Sequence, residues 1–280
     1  MGEAAGRTNG QRPQEDEAVL RVEDVWKSYG GIPVLTGISL EVGRNRIVGI
    51  VGENGAGKTT LFNIVSGLVR PDRGRMVLRG RPFAPHDFHH ASLHGISRVF
   101  QEQALIPNIA VYENLLLSHE GLFTRFGQLL DRRAMIEKAR RICEAVGLDV
   151  DVTRRTGDYD FSKRQAIEIA RAALVPTEVL GIDDPIILLD EPTSSLQRAE
   201  EEAFFRLLRR LREHGSILFV SHRLSEVLSH SDIVYVLKDG RVVARVDPGR
   251  SSERALHGLM GGRERDADYY HESRQGSADE

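Results

Sequence analysis

Short apolar runs alternate with amphipathic stretches along most of the chain. Three of the runs, "RIVGIVG", "PIILLDE" and "SILFVSH", are rich in Val, Ile and Leu, which is typical of strands buried on both faces of a parallel sheet. Between them, "RRAMIEKARRICEAVGL" and "AEEEAFFRLLRRLREHG" have apolar residues at helical spacing, and the second ends on a glycine stop at Gly215. Strands that alternate with helices predict an α/β fold around a parallel sheet.

Polar segments set the expected limits of this domain. Residues 1–17 have the composition of a disordered tail, and the strand pattern begins near Val19. The region of about 102–172 has helical patterns without comparable buried strands, so we expect an inserted helical lobe there. Residues 263–280 are polar and predict a mobile tail, which leaves one domain over residues 18–262.

Composition and charge narrow the class of protein. The apolar fraction is 40%, which allows a sizeable core, and 38 basic against 41 acidic residues argue against a nucleic-acid partner bound through bulk charge. The single cysteine, Cys143, permits no disulfide framework and is expected to be a small buried residue in a reducing compartment. The apolar runs are far shorter than the ~18 residues of a membrane span, so we expect a soluble chain or one bound to a membrane through a partner.

A glycine-rich loop follows the first buried run. The stretch "GENGAGKT" fits G-x-x-x-x-G-K-[ST] between a predicted strand and a predicted helix, which is the context this phosphate-binding motif requires. Its glycines let backbone N–H groups face phosphate oxygens, its lysine supplies a positive charge, and its threonine hydroxyl is a ligand for Mg²⁺. The alternative is a glycine-rich turn with a surface lysine. The expected ATP-binding residues are Gly52, Glu53, Asn54, Gly55, Ala56, Gly57, Lys58, Thr59 and Thr60.

Two acidic residues close the second buried run. Asp190 and Glu191 follow "IILL" at the carboxyl end of a strand, where α/β sheets bind ligands. We expect Asp190 to hold Mg²⁺ and Glu191 to polarise an attacking water, as a general base does. The alternative is a strand that ends in a solvated acidic turn. Alone, this motif is weak evidence of a nucleotide site, but together with the phosphate loop it is strong evidence.

Three histidines also lie at helical spacing, in "HDFHHASLH". His86, His90 and His94 would share one face of a helix, but neither a cysteine nor a group of carboxylates completes a tetrahedral metal set. We therefore expect a surface helix here.

The order of these motifs resembles the nucleotide-binding subunit of ATP-binding cassette (ABC) transporters, from about Val19 to Gly262. "VEDVWKSYGG" is similar to the family's opening strand, which implies that Tyr29 stacks on adenine. "RVFQEQ" places Gln101 where the family contacts Mg²⁺, and "FVSHR" places His222 where it contacts the γ-phosphate. The alternatives are that Tyr29 only packs at the end of a strand and that Gln101 and His222 only cap buried strands. The resemblance implies a P-loop NTPase core with an N-terminal antiparallel β subdomain and an inserted helical lobe, in which Lys58, Glu191 and His222 are catalytic.

Finer features resemble the first cassette of bacterial monosaccharide importers. These are "GENGAGK", "FQE", "EIARA" and "SHRLSEVLSHSDIVYVLKDGRVV", whereas "TTLFNIVSGLVRPDRG" is also similar to importers of branched-chain amino acids. The resemblance implies a chain peripheral to the cytoplasmic face of the membrane. Its implied partners are permease subunits, a second ATPase cassette and a solute-binding protein. A non-transport cassette ATPase is the other alternative.

The chain departs from the family pattern in two places. Aligned without gaps, the family's L-S-G-G-Q signature, which faces the partner's ATP, becomes Tyr159 followed by Asp160, Phe161, Ser162 and Lys163. A carboxylate at Asp160 would repel a γ-phosphate, so we expect a poor half-site and an asymmetric heterodimer. Alternatively, Ser162 to Gln165 is a capping box that only starts the helix, and both interpretations can hold. The aspartate that usually follows Glu191 in the next loop is Gln197.

Overall fold

The computed structural model describes residues 18–100, 104–125, 129–194 and 196–261. The expected tails and Gln101 therefore lie outside the described residues. Within these ranges the strands are β1 Ala18–Tyr29, β2 Ile32–Gly43, β3 Ile47–Gly52, β4 Arg73–Leu78, β5 Arg81–Phe83, β6 Ile96–Val99, β7 Thr124–Arg125, β8 Leu129–Leu130, β9 Ile186–Asp190, β10 Ser216–Val220, β11 Ile233–Lys238 and β12 Arg241–Val246. The helices are α1 Lys58–Val65, α2 Phe88–Leu93, α3 Val111–Leu115, α4 Arg132–Val146, α5 Phe161–Glu178, α6 Arg198–Leu211, α7 Leu224–His230 and α8 Glu253–Gly261.

A six-stranded sheet in the order β12-β11-β3-β10-β9-β6 forms the centre of the molecule. Its neighbours pair in parallel except β12, which runs antiparallel to β11. The three runs predicted as buried strands are β3, β9 and β10, and that prediction is confirmed. Because side chains alternate along a strand, Ile47 and Val51 of β3 join one apolar core while Val48 and Ile50 join the other.

A second, antiparallel sheet covers one face of the first. Its order is β2-β1-β4-β5, which confirms the predicted N-terminal antiparallel subdomain. Helix α1 contributes Leu61, Phe62, Ile64 and Val65 to the core that this sheet shares with the central one. The loop between β3 and α1 is thereby held between the two sheets.

The opposite face of the central sheet is covered by helices. The segment between β6 and β9 contains α3, α4 and α5, which pack on one another, and the short exposed hairpin β7–β8. Asp131 caps α4 by accepting the Ala134 N–H at 3.2 Å, and Gly147 ends it in the left-handed conformation. Cys143 lies on the buried face of α4, as predicted, and burial raises the pKa of its thiol to about 12.

The stretch "LVPTEVLGIDD" continues α5 and then leads into β9. After the helix ends at Glu178, the Ile182 N–H donates to the Pro176 carbonyl at 2.9 Å. Asp184 pairs with Arg44 at 2.6 Å and accepts an Arg79 hydrogen bond at its carbonyl oxygen at 3.0 Å. The carboxyl end of α5 is therefore anchored to the antiparallel sheet.

Candidate functional site

The loop after β3 forms a cradle of backbone groups. Gly57 precedes α1 with a φ of +101°, and a Cβ atom there would lie 2.4 Å from the Leu35 side chain. A Cβ atom at Gly52 would lie 2.4 Å from the Leu237 carbonyl oxygen. Only glycine therefore fits these two contacts with β2 and β11. In the described structure no side chain caps α1, so its first N–H groups are left for an anion.

One cavity collects most of the predicted site residues. The carboxyl ends of β3, β10 and β9 lie side by side, because β10 separates the strand of the phosphate loop from the strand of the acidic pair. The cavity is lined by Val34, Asn54, Gly55, Gly57, Lys58, Thr59, Thr60, Asp190, Glu191 and Val220. A glycine cradle, a lysine, a hydroxyl and two carboxylates thus share one space.

The Lys58 side chain turns back onto its own loop. Its Nζ donates to the carbonyl oxygens of Gly52 at 2.7 Å and Glu53 at 3.0 Å. Burial lowers the pKa of this amine, while the negative charges of Glu191 and Asp190 raise it. The ammonium group is consequently fixed beside the cradle, where it can attract phosphate.

Asp190 has a buried partner that the sequence motifs did not reveal. Arg98 of β6 donates to Asp190 Oδ2 at 2.9 Å and to Asn63 Oδ1 at 2.6 Å. Its guanidinium lies 4.8 Å from the Phe100 ring and 5.7 Å from the Phe62 ring, and its burial lowers its pKa. The available signal was a lone cation inside the apolar strand "ISRV", since a buried charge requires a partner.

Glu191 and His222 face each other at the cavity rim. Glu191 has a left-handed backbone, with φ of +47°, and donates its N–H to the Val220 carbonyl at 3.0 Å. Its Oε2 lies 3.5 Å from His222 Nδ1. The carboxylate is only partly buried, so it can accept a proton from water while the imidazole lies beside it.

Four other residues that were predicted to contact the nucleotide are not among those that line this cavity. Tyr29 lies at the end of β1 opposite Ile32 and is 45% exposed, with Lys27 Nζ 5.5 Å from its ring. Within the loop, Gly52 and Ala56 are buried and Glu53 is exposed. The predicted roles of Tyr29 and Gln101 remain predictions.

Helix α5 begins at the divergent signature, and Asp160 is its N-terminal cap. The Asp160 carboxylate accepts the Lys163 N–H at 2.8 Å, and α5 begins at Phe161, which is 38% exposed. The alternative interpretation, a capping box formed by Ser162 and Gln165, is wrong, because the cap of α5 is Asp160. Gln165 is buried and its side chain donates to the Pro192 carbonyl at 2.5 Å, so it cannot return to the helix start.

The three histidines lie side by side, with the rings of His86 and His90 tilted and those of His90 and His94 edge to face. The ring centroids of His86 and His90 are 4.2 Å apart, and those of His90 and His94 are 4.4 Å apart. Among the described residues, no cluster of three or more His, Cys, Asp or Glu side chains is arranged to hold a metal ion.

The fold and the cavity together define a P-loop nucleoside-triphosphatase domain. The chain belongs to the ABC transporter family, whose sequence pattern it matches over residues 35–194. It is 36% identical over 244 residues to a ribose import ATP-binding protein, RbsA 1, of Rubrobacter xylanophilus, covering 87% of this chain and 47% of that protein. It is also 36% identical to RbsA 2 of Agrobacterium fabrum, a ribose import ATP-binding protein, covering 80% of this chain and 42% of that protein.

Solved structures agree with this assignment. An ATP-binding cassette of an ABC transporter in its ADP conformation superposes with a TM-score of 0.70 and 25% identity, covering 86% of this chain and 94% of that one. A nucleotide-free ATP-binding cassette gives a TM-score of 0.69 at 25% identity, with coverage of 82% and 91%. The chain spans about half the length of the curated relatives it matches. No helix within the described residues is both long and apolar enough to cross a bilayer.

Proposed function

We propose that this chain is an ATP-hydrolysing subunit that powers an ABC importer for a sugar. The observation that carries the proposal is the convergence of Lys58, Thr59, Asp190 and Glu191 on one cavity, with His222 at its rim. The names of the ribose import relatives support sugar as the class of solute.

Each group in the cavity has a different role in hydrolysis. Backbone N–H groups of the cradle and the Lys58 ammonium bind the phosphates. Glu191 accepts a proton as water attacks the γ-phosphorus, so that the new P–O bond forms while the bond to ADP breaks. His222 contacts the γ-phosphate and orients it toward the carboxylate. Each group thus positions or neutralises charge, which is most of what phosphoryl transfer requires.

The donor set at the cavity fits Mg²⁺. Thr59 offers a hydroxyl oxygen and Asp190 a carboxylate oxygen, and both are the hard ligands that this ion prefers. Mg²⁺ bound there would neutralise phosphate charge. We assign Thr59 and Asp190 to it, with Gln101 as a third expected contact.

The proposed assembly contains two cassettes that enclose two ATP molecules head to tail. Each site combines one chain's phosphate loop with the other chain's signature, and closure moves permease subunits in the membrane. A solute-binding protein delivers the sugar to the outer side. This chain then sits on the cytoplasmic face, held there by its partners.

Glu191→Gln tests the function. The amide cannot take the proton from water, so we expect hydrolysis to fall on the order of a hundredfold or more, while ATP binding stays near the wild-type level. The assay is phosphate release by the complex purified through a tag on this chain, together with nucleotide titration. Uptake of radiolabelled ribose by cells expressing the complex should fall in parallel.

Glu202→Gln is the matched control, because Glu202 is exposed on α6 and away from the cavity lining. It should leave both rates unchanged. A near-normal ATPase rate in Glu191→Gln would refute the role of Glu191. If the wild-type complex hydrolyses ATP normally but the cells take up no ribose, the ATPase function is retained and ribose is excluded as the sugar.

A further inference from the structure

A buried carboxylate lies behind the cavity, outside its lining. Glu226 belongs to α7 and is 4% exposed. Burying a carboxylate is costly unless hydrogen bonds and an opposite charge compensate for the lost hydration. Its position among polar neighbours is therefore specific, whereas a glutamate on an ordinary amphipathic helix would face solvent.

Glu226 is bound by three side chains. Its Oε2 accepts the Thr193 hydroxyl at 2.7 Å and the Ser221 hydroxyl at 3.0 Å, and its Oε1 pairs with Arg223 Nη1 at 2.9 Å. Thr193 and Ser221 are themselves 2% and 3% exposed. An ionised carboxylate has acceptors only, which suits two hydroxyl donors and a guanidinium at once.

These contacts join the two segments that carry the catalytic pair. Thr193 follows Glu191 by two residues, and Ser221 directly precedes His222. The Ser221 hydroxyl also accepts the Arg223 N–H at 3.0 Å, so the turn around His222 is closed on itself. One buried carboxylate consequently fixes the loop of the base and the turn of the histidine to each other.

The loop after Glu191 is also held by α5, the helix that begins at the divergent signature. Gln165 of α5 donates to the carbonyl of Pro192, which directly precedes Thr193. Pro192 and Thr193 are thus held between α5 and Glu226. This chain of hydrogen bonds extends from the first turns of α5 to the turn of His222.

We propose that Glu226 is a positioning residue for ATP hydrolysis, which holds Glu191 and His222 at their working separation. The proposal rests on the function proposed above. Effects of this kind are steep, since displacing a catalytic group by about 1 Å can lower a rate on the order of a hundredfold. Glu226 is not among the residues that line the cavity, so its loss should affect the chemical step and leave nucleotide binding intact.

The test is Glu226→Gln in the assembled complex. The amide nitrogen has only donors, so the substituted side chain cannot accept both hydroxyls and pair with Arg223. We expect kcat per nucleotide-binding site to fall on the order of tenfold or more, with ATP affinity within about twofold of wild type. Normalising by titrated binding sites matters, because a merely structural role would reduce the number of competent sites and leave the rate per site unchanged.

Two further variants separate the hydroxyl contact from general damage. Thr193→Val removes the donor at constant shape and should lower kcat per site, whereas Thr193→Ser keeps the donor and should restore most of it. In the Glu226→Gln background, Thr193→Val should add little, because the same contact is already lost. Glu201→Gln is the matched control, since Glu201 shares the Arg223 partner at 2.9 Å, whereas the hydroxyls of Thr193 and Ser221 are bound by Glu226.

The outcomes are distinguishable. Wild-type kcat per site in Glu226→Gln, or fully additive effects with Thr193→Val, would overturn the positioning role while leaving the ATPase in place. Equal losses in Glu201→Gln and Glu226→Gln would assign the effect to Arg223 instead and also overturn it. A wild-type complex without ATPase activity would overturn the proposed function and this inference together.

Discussion

At the scale of single residues, the nucleotide cavity depends on charges that compensate one another. Arg98 is buried between two phenylalanine rings and is shared by Asp190 and Asn63. Its side chain is 3% exposed, and that of Asp190 is 18% exposed. Removing either member is costly, because the other is then a largely buried charge that has lost its direct ionic partner.

Arg98→Met should destabilise the fold for this reason. Removing the guanidinium leaves the Asp190 carboxylate unpaired, which costs about 3 kcal/mol of unfolding free energy. Arg98→Lys should lose less, because the ammonium can still pair with Asp190 but cannot also reach Asn63 in the same fork. Urea unfolding of the three proteins measures the difference, and equal stability of all three would contradict a structural role for the pair.

Residues of the site differ in how far the sequence reveals them. Lys58 and Thr59 are adjacent, as are Asp190 and Glu191, and both pairs stand in a short pattern that fixes their chemistry. Arg98 meets Asp190 across 92 positions, and Thr193 meets Glu226 across 33. A local pattern cannot specify contacts of this range, so these partners became visible only when the strands were brought together.

At the scale of elements, the start of α5 shows where a local pattern was ambiguous. Asp160 and Ser162 are both good capping residues, and Ser162 also had a glutamine three positions later. Packing decided between them, because Gln165 is buried against Pro192 and is unavailable to the helix start. The resulting cap occupies the Lys163 N–H with the chain's own carboxylate.

Asp160→Ala should therefore destabilise this helix start. Losing the cap leaves the Lys163 N–H without its acceptor and should cost about 1 kcal/mol of unfolding free energy. Asp160→Ser retains a capping oxygen and should stay close to wild type, and Ser162→Ala should have a small effect. Thermal or urea unfolding distinguishes these variants. A larger loss in Ser162→Ala than in Asp160→Ala would contradict the assigned cap.

At the scale of the whole molecule, the fold followed from the sequence more completely than the site did. Continuous apolar runs can be buried only with both faces covered, and the two cores on either side of β3 provide that cover. The hairpin β7–β8 was not foreseen, because two-residue strands leave too short a pattern to detect. The docked loop after α5 was also unforeseen, since Arg44 and Arg79 are distant in sequence.

The assembly should contain two unequal ATP sites. In the proposed assembly, this chain's own cavity supplies the groups for hydrolysis, whereas its half-site for the partner's ATP would contain Asp160, whose carboxylate would repel phosphate. That carboxylate already accepts one N–H of the helix start. We expect slow turnover of the partner's nucleotide. The variant D160S/F161G/S162G should raise turnover at that site and leave the other unchanged.

Vanadate trapping of a photoreactive ATP analogue on each chain measures the two sites separately. Equally fast hydrolysis at both sites of the unmodified complex would contradict the asymmetry. If the triple variant accelerated the site on this chain as well, the effect would lie in the assembly as a whole and not in the half-site.

The anchored end of α5 has a mechanical consequence. The helix has 18 residues, and at 1.5 Å per residue it is about 27 Å long. Asp184, just beyond its carboxyl end, is tied to Arg44 and Arg79, whereas Asp160 stands at the opposite tip. A tilt of about 10° around the tied end would displace that tip by about 5 Å, more than the length of a hydrogen bond. In the proposed assembly, a small rotation at the antiparallel sheet would therefore be enough to make or break contact between this tip and the nucleotide of the neighbouring chain.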